Sequence, residues 1–544
     1  MKTMINILIL PSLLSTTLFS MERTYDEAKN VALNFANMLQ PSVGFTIDDT
    51  VLSKPVTSKI LGNVKKERAF QIIKLKPQGW VMLSNDDIAK PILGYNLDKT
   101  FDLSHIAPEF IHWANGIDDE ISIESHKRAK GKRTYQSQWD SLSKDRAIYK
   151  ETKLYTKRSR LGVSHTGELS LMPDIQWGQN KPYNTYIPKH DLVGCSATAI
   201  AQIMAYHKWP MRGFGSYSYY HPIYGEIAVN FDNLYNWYSM GDLDKALISY
   251  HVGVTMNMIY SHTLSTAWPV PNKLRKHFGY EMSNLLAKKN DTDLAWEKKI
   301  KDSLDEKRPV WYSGDNLVGG HAFVIDGYKF DEESKMYHIN FGWSGYSNGW
   351  YELSALKAFN DKQHAIFDMR PNNDPSFGGL GKVTIFNLKT KRFLFSKGSL
   401  KSTEKWVNKP TIIGTDSNDN HRGDWELLPY NEGYHIINLA TKRYLFLSAD
   451  VTDFSEENCT KETPQIMTAK SDEEGNGEWR LIRTGVLNNP FKIQHAQTGR
   501  YLFQSGSIVE ESEDGWVKSP NVVGLGSHKD EHKRATWNLT LPKI

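Results

Sequence analysis

Apolar residues recur every three or four positions along TYDEAKNVALNFANML (24–39), which predicts an amphipathic helix. Two alternating runs, AFQIIKLKP (69–77) and GWVMLSNDD (79–87), predict strands joined by a turn. Residues 91–121 read as a loop leading into a second amphipathic helix. Together these make a compact α+β region with no nucleophile of its own. The pattern lapses over 126–165, where SHKRAKGKRTYQSQ and KDRAIYKETKLYTKRSRLG are basic and polar. That composition predicts a linker or processing segment, the alternative being a solvated surface helix. Periodicity returns with a helix after residue 195, helical segments near 242–280 and 292–307, then strands at 309–313, 321–328 and 336–342. A helix-rich half followed by a strand-rich half is a two-lobed α+β arrangement.

Residues 381–544 repeat three times. The lead strands align as VTIFNLKTKRFLFS (383–396), YHIINLATKRYLFLS (434–448) and FKIQHAQTGRYLFQS (491–505). Each unit closes on a tryptophan: Trp425, Trp479 and Trp537. The arginines Arg392, Arg443 and Arg500 are 51 and 57 residues apart, and the tryptophans 54 and 58. Short alternating strands in units this small cannot each bury a face alone, so the three must close on one another, as in a β-trefoil.

The first 20 residues, MKTMINILILPSLLSTTLFS, carry one lysine, an apolar run and then small polar residues. This is the layout of a secretory signal peptide and is too short to span a membrane. No later run of 18 apolar residues occurs, so no membrane span is expected. The 544 residues suffice for three or four domains. A net charge of +4 argues against a nucleic-acid or anionic-membrane partner. Sixteen Trp and 26 Tyr suit β-rich cores first, and carbohydrate or peptide grooves second. Export with only two cysteines suggests a bacterial secreted protein stabilised by core packing.

The candidate chemistry centres on Cys195, in VGCSATAIAQIMAYHKWP (193–210). The other cysteine, Cys459, lies far away in a segment of different character, and no role is assigned to it. Gly194 permits a sharp turn into a small-residue helix whose apolar stripe runs through Ile200, Ile203, Met204 and His207. A thiol in the first helical turn feels the dipole and unpaired N–H groups that favour thiolate. Then, 126 residues on, His321 follows Gly319 and Gly320 in GGHAFVIDGY (319–328), where the glycines leave room for substrate. Cysteine and histidine at such range read as nucleophile and base, which makes a peptidase the first hypothesis. The bland alternative, a buried inert thiol, is disfavoured because glycine, helix start and histidine agree. His338 and His207 are rival bases, each inside a regular element with a packing role. Asn340 or Trp343, in YHINFGWSGYSNGWYEL (337–353), could hold the imidazole from behind. The developing oxyanion needs donors: the Cys195 backbone N–H, and Gln179 in IQWGQNKPYN (175–184). No metal or cofactor is expected, only reducing conditions that keep Cys195 a free thiol.

WGQNKPYN, GCSATAIAQIMAYHKWP, PVWYSG, GGHAFVIDGY and HINFGWSGYSNGWY, in that order, resemble the streptopain family of papain-like cysteine peptidases. The likeness spans about 170–370. The preceding GWVMLSNDD and PILGYNLDKTFD resemble that family's inhibitory propeptide. The repeats resemble ricin-type lectin and related trefoil modules. The peptidase resemblance implies a secreted zymogen cleaved to an endopeptidase, with Cys195 as nucleophile, His321 as general acid/base, Gln179 as oxyanion donor and Trp343 beside the imidazole. One departure is Phe341, where the family more often has Trp; altered packing is expected there, with catalysis retained.

The expected order is therefore a signal peptide (1–20), an inhibitory prodomain (21–125), a basic linker (126–169), a two-lobed papain-like peptidase (170–372) and an all-β trefoil (377–544). Maturation is expected near Lys157, Arg158, Ser159 and Arg160. The expected partners are protein or peptide substrates, the chain's own prodomain as inhibitor, and a glycan or cell-surface ligand for the trefoil. Two other readings stand beside this one. In one, a glycan-binding toxin or adhesin carries a subordinate peptidase. In the other, the same Cys–His chemistry serves a transglutaminase or amidase.

Overall fold

The computed structural model describes residues 23–48, 69–102, 135–144, 167–288, 291–315, 320–330, 335–352, 361–378, 382–389, 392–394, 423–447, 466–469, 477–485, 490–499, 501–504, 523–526 and 535–540, with single positions between 110 and 125. The signal peptide, the expected cleavage residues 157–160, Gly319, Arg500 and Cys459 lie outside them. The chain divides into two compact units. One holds Met1–Thr166 with Phe330–Met336 and Gly349–Asn360; the other holds Gly167–Lys329, Tyr337–Asn348 and Asp361–Ile544.

In the first unit the predicted N-terminal helix is Tyr25–Leu39. Thr24 starts it with a capping box: its hydroxyl accepts from Glu27 N–H, and the Glu27 carboxylate accepts from Thr24 N–H. The buried stripe Ala28, Val31, Ala32, Phe35 and Ala36 packs on the strands Phe70–Lys76 and Trp80–Ser84. The next segment corrects a sequence expectation. Ile92–Asn96, read as loop, is a strand buried along its whole length, and it pairs with Trp80–Ser84. A strand buried on both faces shows no alternation, so its periodicity was silent. Gly349–Glu352 adds to the same sheet beside it, with Tyr351 opposite Gly94. The Tyr351 ring fills the space a Cβ on Gly94 would need, 2.5 Å away. Phe110, Ala114, Ile117 and Ile121 are helical and buried, as the amphipathic pattern predicts. A second correction concerns the basic linker: Gln136–Ser143 is a helix, and its Trp139 is wholly buried in this unit's core.

The second unit begins with the helix Cys195–His207, on which Asp242–Thr255 packs. Helices Pro271–Phe278 and Asp293–Asp305 follow. The strands run Lys335–Asn340, Gly320–Phe330, Val310–Asp315, Asp361–Ile366 and Leu286–Ala287 in sheet order, with Gly167–Ser170 also paired to Gly320–Phe330.

The three repeats close a ring. Val383–Asn387, Asp424–Tyr430, Gly433–Asn438, Glu478–Arg483, Pro490–His495 and Thr536–Thr540 pair successively, and the last pairs back to the first. Each tryptophan takes the same place: Trp425 opposite Asn438, Trp479 opposite His495, and Trp537 opposite Asn387. Their indole N–H groups donate at 2.9 Å to the carbonyls of Leu394, Leu445 and Leu502. A closed ring has no free sheet edge, which resolves the problem that each short unit posed alone.

This ring shares a hydrophobic cluster with the helical part of the same unit. Arg483 donates from Nε to Asp244 at 2.7 Å, with both side chains sealed from water. Arg483 also donates to the Leu234 carbonyl. The remaining Asp244 oxygen accepts from Asn236 and from Gly241 N–H, each at 3.1 Å, while burial still raises the Asp244 pKa and Arg483 Nη1 is buried with no hydrogen-bond partner among the described residues. Asn236 and Ser239 both reach the Leu481 backbone, and Tyr238 meets Tyr434 edge-on.

Candidate active site

Cys195 is the first residue of its helix, half-buried and not in a disulfide. The preceding Gly194 has φ +91°, a conformation open to glycine, and a Cβ there would lie 2.8 Å from Met258. Ser196 anchors the helix start by donating to the Ala267 carbonyl at 2.8 Å. Thr198 and Gln202, one and two turns on, tie this helix to the rest of the site. Gln202, buried, accepts the Trp177 N–H at 3.0 Å, and the Trp177 carbonyl accepts from Ser344 N–H at 3.0 Å. Thr198 packs against Gly342, where a Cβ would sit 3.0 Å from its methyl. Three segments thus converge: the Cys195 helix, the 177–179 stretch and the loop 341–348.

Gln179 is 2% exposed. Its carbonyl accepts from Val193 N–H at 3.1 Å, two residues before Cys195. Its side-chain Nε2 is buried with no hydrogen-bond partner among the described residues. An orphaned amide donor costs on the order of 1–3 kcal/mol, and its place on a segment bonded to Val193 makes Gln179 a candidate donor to a group supplied from outside.

His321 is buried on Gly320–Phe330, opposite Gly314. Its Nε2 lies 3.0 Å from the Phe341 carbonyl, and its ring stacks at 23° on that of Phe341. A carbonyl only accepts, so Nε2 carries the hydrogen and Nδ1 is the nitrogen able to take up a proton. The group behind the imidazole is therefore the Phe341 backbone, where sequence reasoning had nominated Asn340 or Trp343. Asn340 does not reach the ring: its Nδ2 donates to the Ile175 carbonyl at 2.6 Å and its Oδ1 accepts from Gly342 N–H at 3.1 Å. That N–H and the Phe341 carbonyl belong to one peptide plane, so Asn340 braces the acceptor at one remove. Trp343 is 9% exposed, two residues further on, and its Nε1 has no hydrogen-bond partner among the described residues. Phe341, expected to matter only for packing, and Gln202, unremarked as a helix residue, are the two that sequence reasoning missed. Neither has a signature, since one acts through its backbone and the other looks like any helix glutamine.

The rival histidines are committed elsewhere. His207 bonds the Met369 carbonyl at 3.0 Å, and burial pushes its pKa down to about 4. His338 pairs with the buried Asp326 at 2.7 Å.

Residues 177–351 match the Peptidase C10 family, and residues 21–121 match the family described as Spi protease inhibitor. Streptopain of Streptococcus pyogenes is 27% identical over 397 residues, which cover 64% of this chain and 92% of streptopain. The thiol protease/hemagglutinin PrtT of Porphyromonas gingivalis is 28% identical over 370 residues, 61% of this chain and 39% of PrtT. Among solved structures, a prointerpain A fragment of Prevotella intermedia is 24% identical, with a TM-score of 0.43 over 56% of this chain and 96% of the fragment. The family match and the two thiol protease relatives define the class: the chain is a cysteine peptidase. Its residues 177–351 match the Peptidase C10, or streptopain, family, and an inhibitor-type region precedes them.

Proposed function

We propose that this protein is a secreted endopeptidase made as a zymogen, with Cys195 as its nucleophile. The observation that carries the reading is the buried Nε2 of Gln179, without a hydrogen-bond partner among the described residues, on a segment bonded to Val193 just before Cys195. The Cys195 thiolate attacks the carbonyl carbon of a peptide bond. The oxyanion that forms accepts from Gln179 Nε2 and from the Cys195 N–H. His321 gives the proton on Nδ1 to the departing amine as the C–N bond breaks, leaving an acyl-enzyme. Water, losing a proton to the same nitrogen, attacks the thioester and expels the thiolate. These steps use only side chains and backbone, and they need Cys195 reduced. Trp343 lies on the same loop as Phe341.

An inhibitor-type region ahead of a peptidase domain supports a zymogen whose own prodomain silences it. The signal-like residues 1–20 support export. Among the described residues no helix is long and apolar enough to cross a membrane. The closed ring of residues 383–540 reads as a β-trefoil that brings a glycan or cell-surface protein to the enzyme. Replacing Cys195 by Ala should abolish casein hydrolysis and self-processing while the far-UV spectrum stays unchanged; a variant that still cuts casein would sink the proposal. The same inactive protein, full length, placed on a glycan array tests the ring.

A further inference from the structure

We propose that Asn348 is a positioning residue for the catalytic histidine, acting through the backbone of Phe341. The inference rests on His321 serving as the acid/base proposed above. Asn348 is 5% exposed, and its Oδ1 accepts from Phe341 N–H at 3.0 Å. On the other side of the same residue, Asn340 holds Gly342 N–H at 3.1 Å. Two carboxamides therefore pin the peptide planes before and after Phe341, and the second plane carries the carbonyl that accepts from His321 Nε2. Holding the Phe341 N–H fixes the plane before its Cα, and with the plane after it held by Asn340, the carbonyl and the ring stacked on the imidazole keep one setting.

The loop is bent to make this contact. Between Gly342 and Asn348 four residues hold left-handed φ: Gly342 at 74°, Ser344 at 54°, Gly345 at 82° and Ser347 at 62°. Ser344 and Ser347 adopt a conformation unfavourable for residues with a Cβ, and such backbone persists where its surroundings over-determine it. Asn348, at the end of this bend, folds back seven residues onto Phe341. The Asn340–Gly342 bond polarises the peptide that carries the Phe341 carbonyl, and the Asn348–Phe341 bond keeps that carbonyl aimed at the ring, a support worth more to an imidazolium than to a neutral ring.

The test compares Asn348→Leu and Asn348→Asp in the full chain, assayed after maturation, with active sites counted by a thiol-directed epoxide. Asn348→Leu should lower kcat about tenfold with KM little changed, the loss of roughly one orienting hydrogen bond in the transition state. It should also move the alkaline limb of the kcat/KM profile to lower pH, because the imidazolium loses support. Asn348→Asp keeps an acceptor oxygen, so it should recover kcat relative to Asn348→Leu. It also adds negative charge behind the ring, so its alkaline limb should move to higher pH. Wild-type kcat and an unmoved alkaline limb in Asn348→Leu would overturn the inference. Should that variant not fold, an unmoved alkaline limb in Asn348→Asp overturns it alone. Cys195→Ala separates the two layers: activity there sinks the enzymatic reading itself, whereas a dead Cys195→Ala beside wild-type-like Asn348 variants sinks only the role of Asn348.

Discussion

At the scale of single residues, the site is divided between groups that do chemistry and groups that hold them. In the proposed mechanism Gln179 belongs to the first kind, as an oxyanion donor whose Nε2 is buried with no hydrogen-bond partner among the described residues. Gln179→Ala should therefore lower kcat by about 10²–10³ and leave KM nearly unchanged, the pattern of an interaction made mainly in the transition state. Steady-state kinetics on a peptide substrate checks this, and a rise in KM at constant kcat would assign Gln179 to ordinary substrate binding. Residue chemistry was the most legible layer of the sequence. A cysteine after a helix-starting glycine, a glycine-flanked histidine and an upstream glutamine are side-chain signals. The support behind His321 was not legible, because it is a carbonyl of Phe341, and any residue type has one. What selects that carbonyl is a loop with four left-handed residues, two of them serines that no turn rule would place there.

At the scale of elements, amphipathic periodicity located Tyr25–Leu39 well, since that helix buries one stripe, whereas Cys195–His207 is buried on every side from Ser196 to Met204 and not along the expected stripe alone. It failed where burial is two-sided, at Ile92–Asn96, and where one aromatic does the anchoring, at Trp139 in a short polar helix. The helices also carry a titration liability. Burial pushes His251 on Asp242–Thr255 down to about 3, with the Arg483 charge adding to it, and burial pushes His207 down to about 4. Both are neutral in the fold at neutral pH, and the unfolded chain would protonate them near the ordinary value of about 6.5. The unfolded state thus binds more protons below that pH. Stability should be full above about 6.5 and fall as pH drops towards 4 and then 3. Urea unfolding of Cys195→Ala across this range measures it. His251→Gln, still able to bond the Tyr235 hydroxyl that now lies 2.8 Å from Nδ1, should flatten part of the slope. A midpoint constant from pH 6.5 to 4 would contradict the assignment.

At the scale of the whole molecule, the repeats announced their own closure, because units with one Trp each at matching places can bury it only together. Their attachment to the helical part of the same unit was invisible in the sequence, since Asp244 and Arg483 are 239 residues apart and each looks like a surface charge. Sealed from water, the pair makes the ring a fixed part of the peptidase and not a tethered appendage. Asp244→Ala strands the guanidinium in the core and should cost about 3–5 kcal/mol in denaturant unfolding. A change of less than ~1 kcal/mol, in the range of a surface pair, would mean the two parts are joined loosely.

All of this supports a chemistry that begins at one sulfur atom. The mature enzyme should be treated with a thiol-directed epoxide, and peptide mapping followed in step with residual activity on casein. The account predicts one adduct, on Cys195, whose accumulation matches the loss of activity. Full activity with Cys195 modified, or inactivation that tracks an adduct on Cys459, would contradict it.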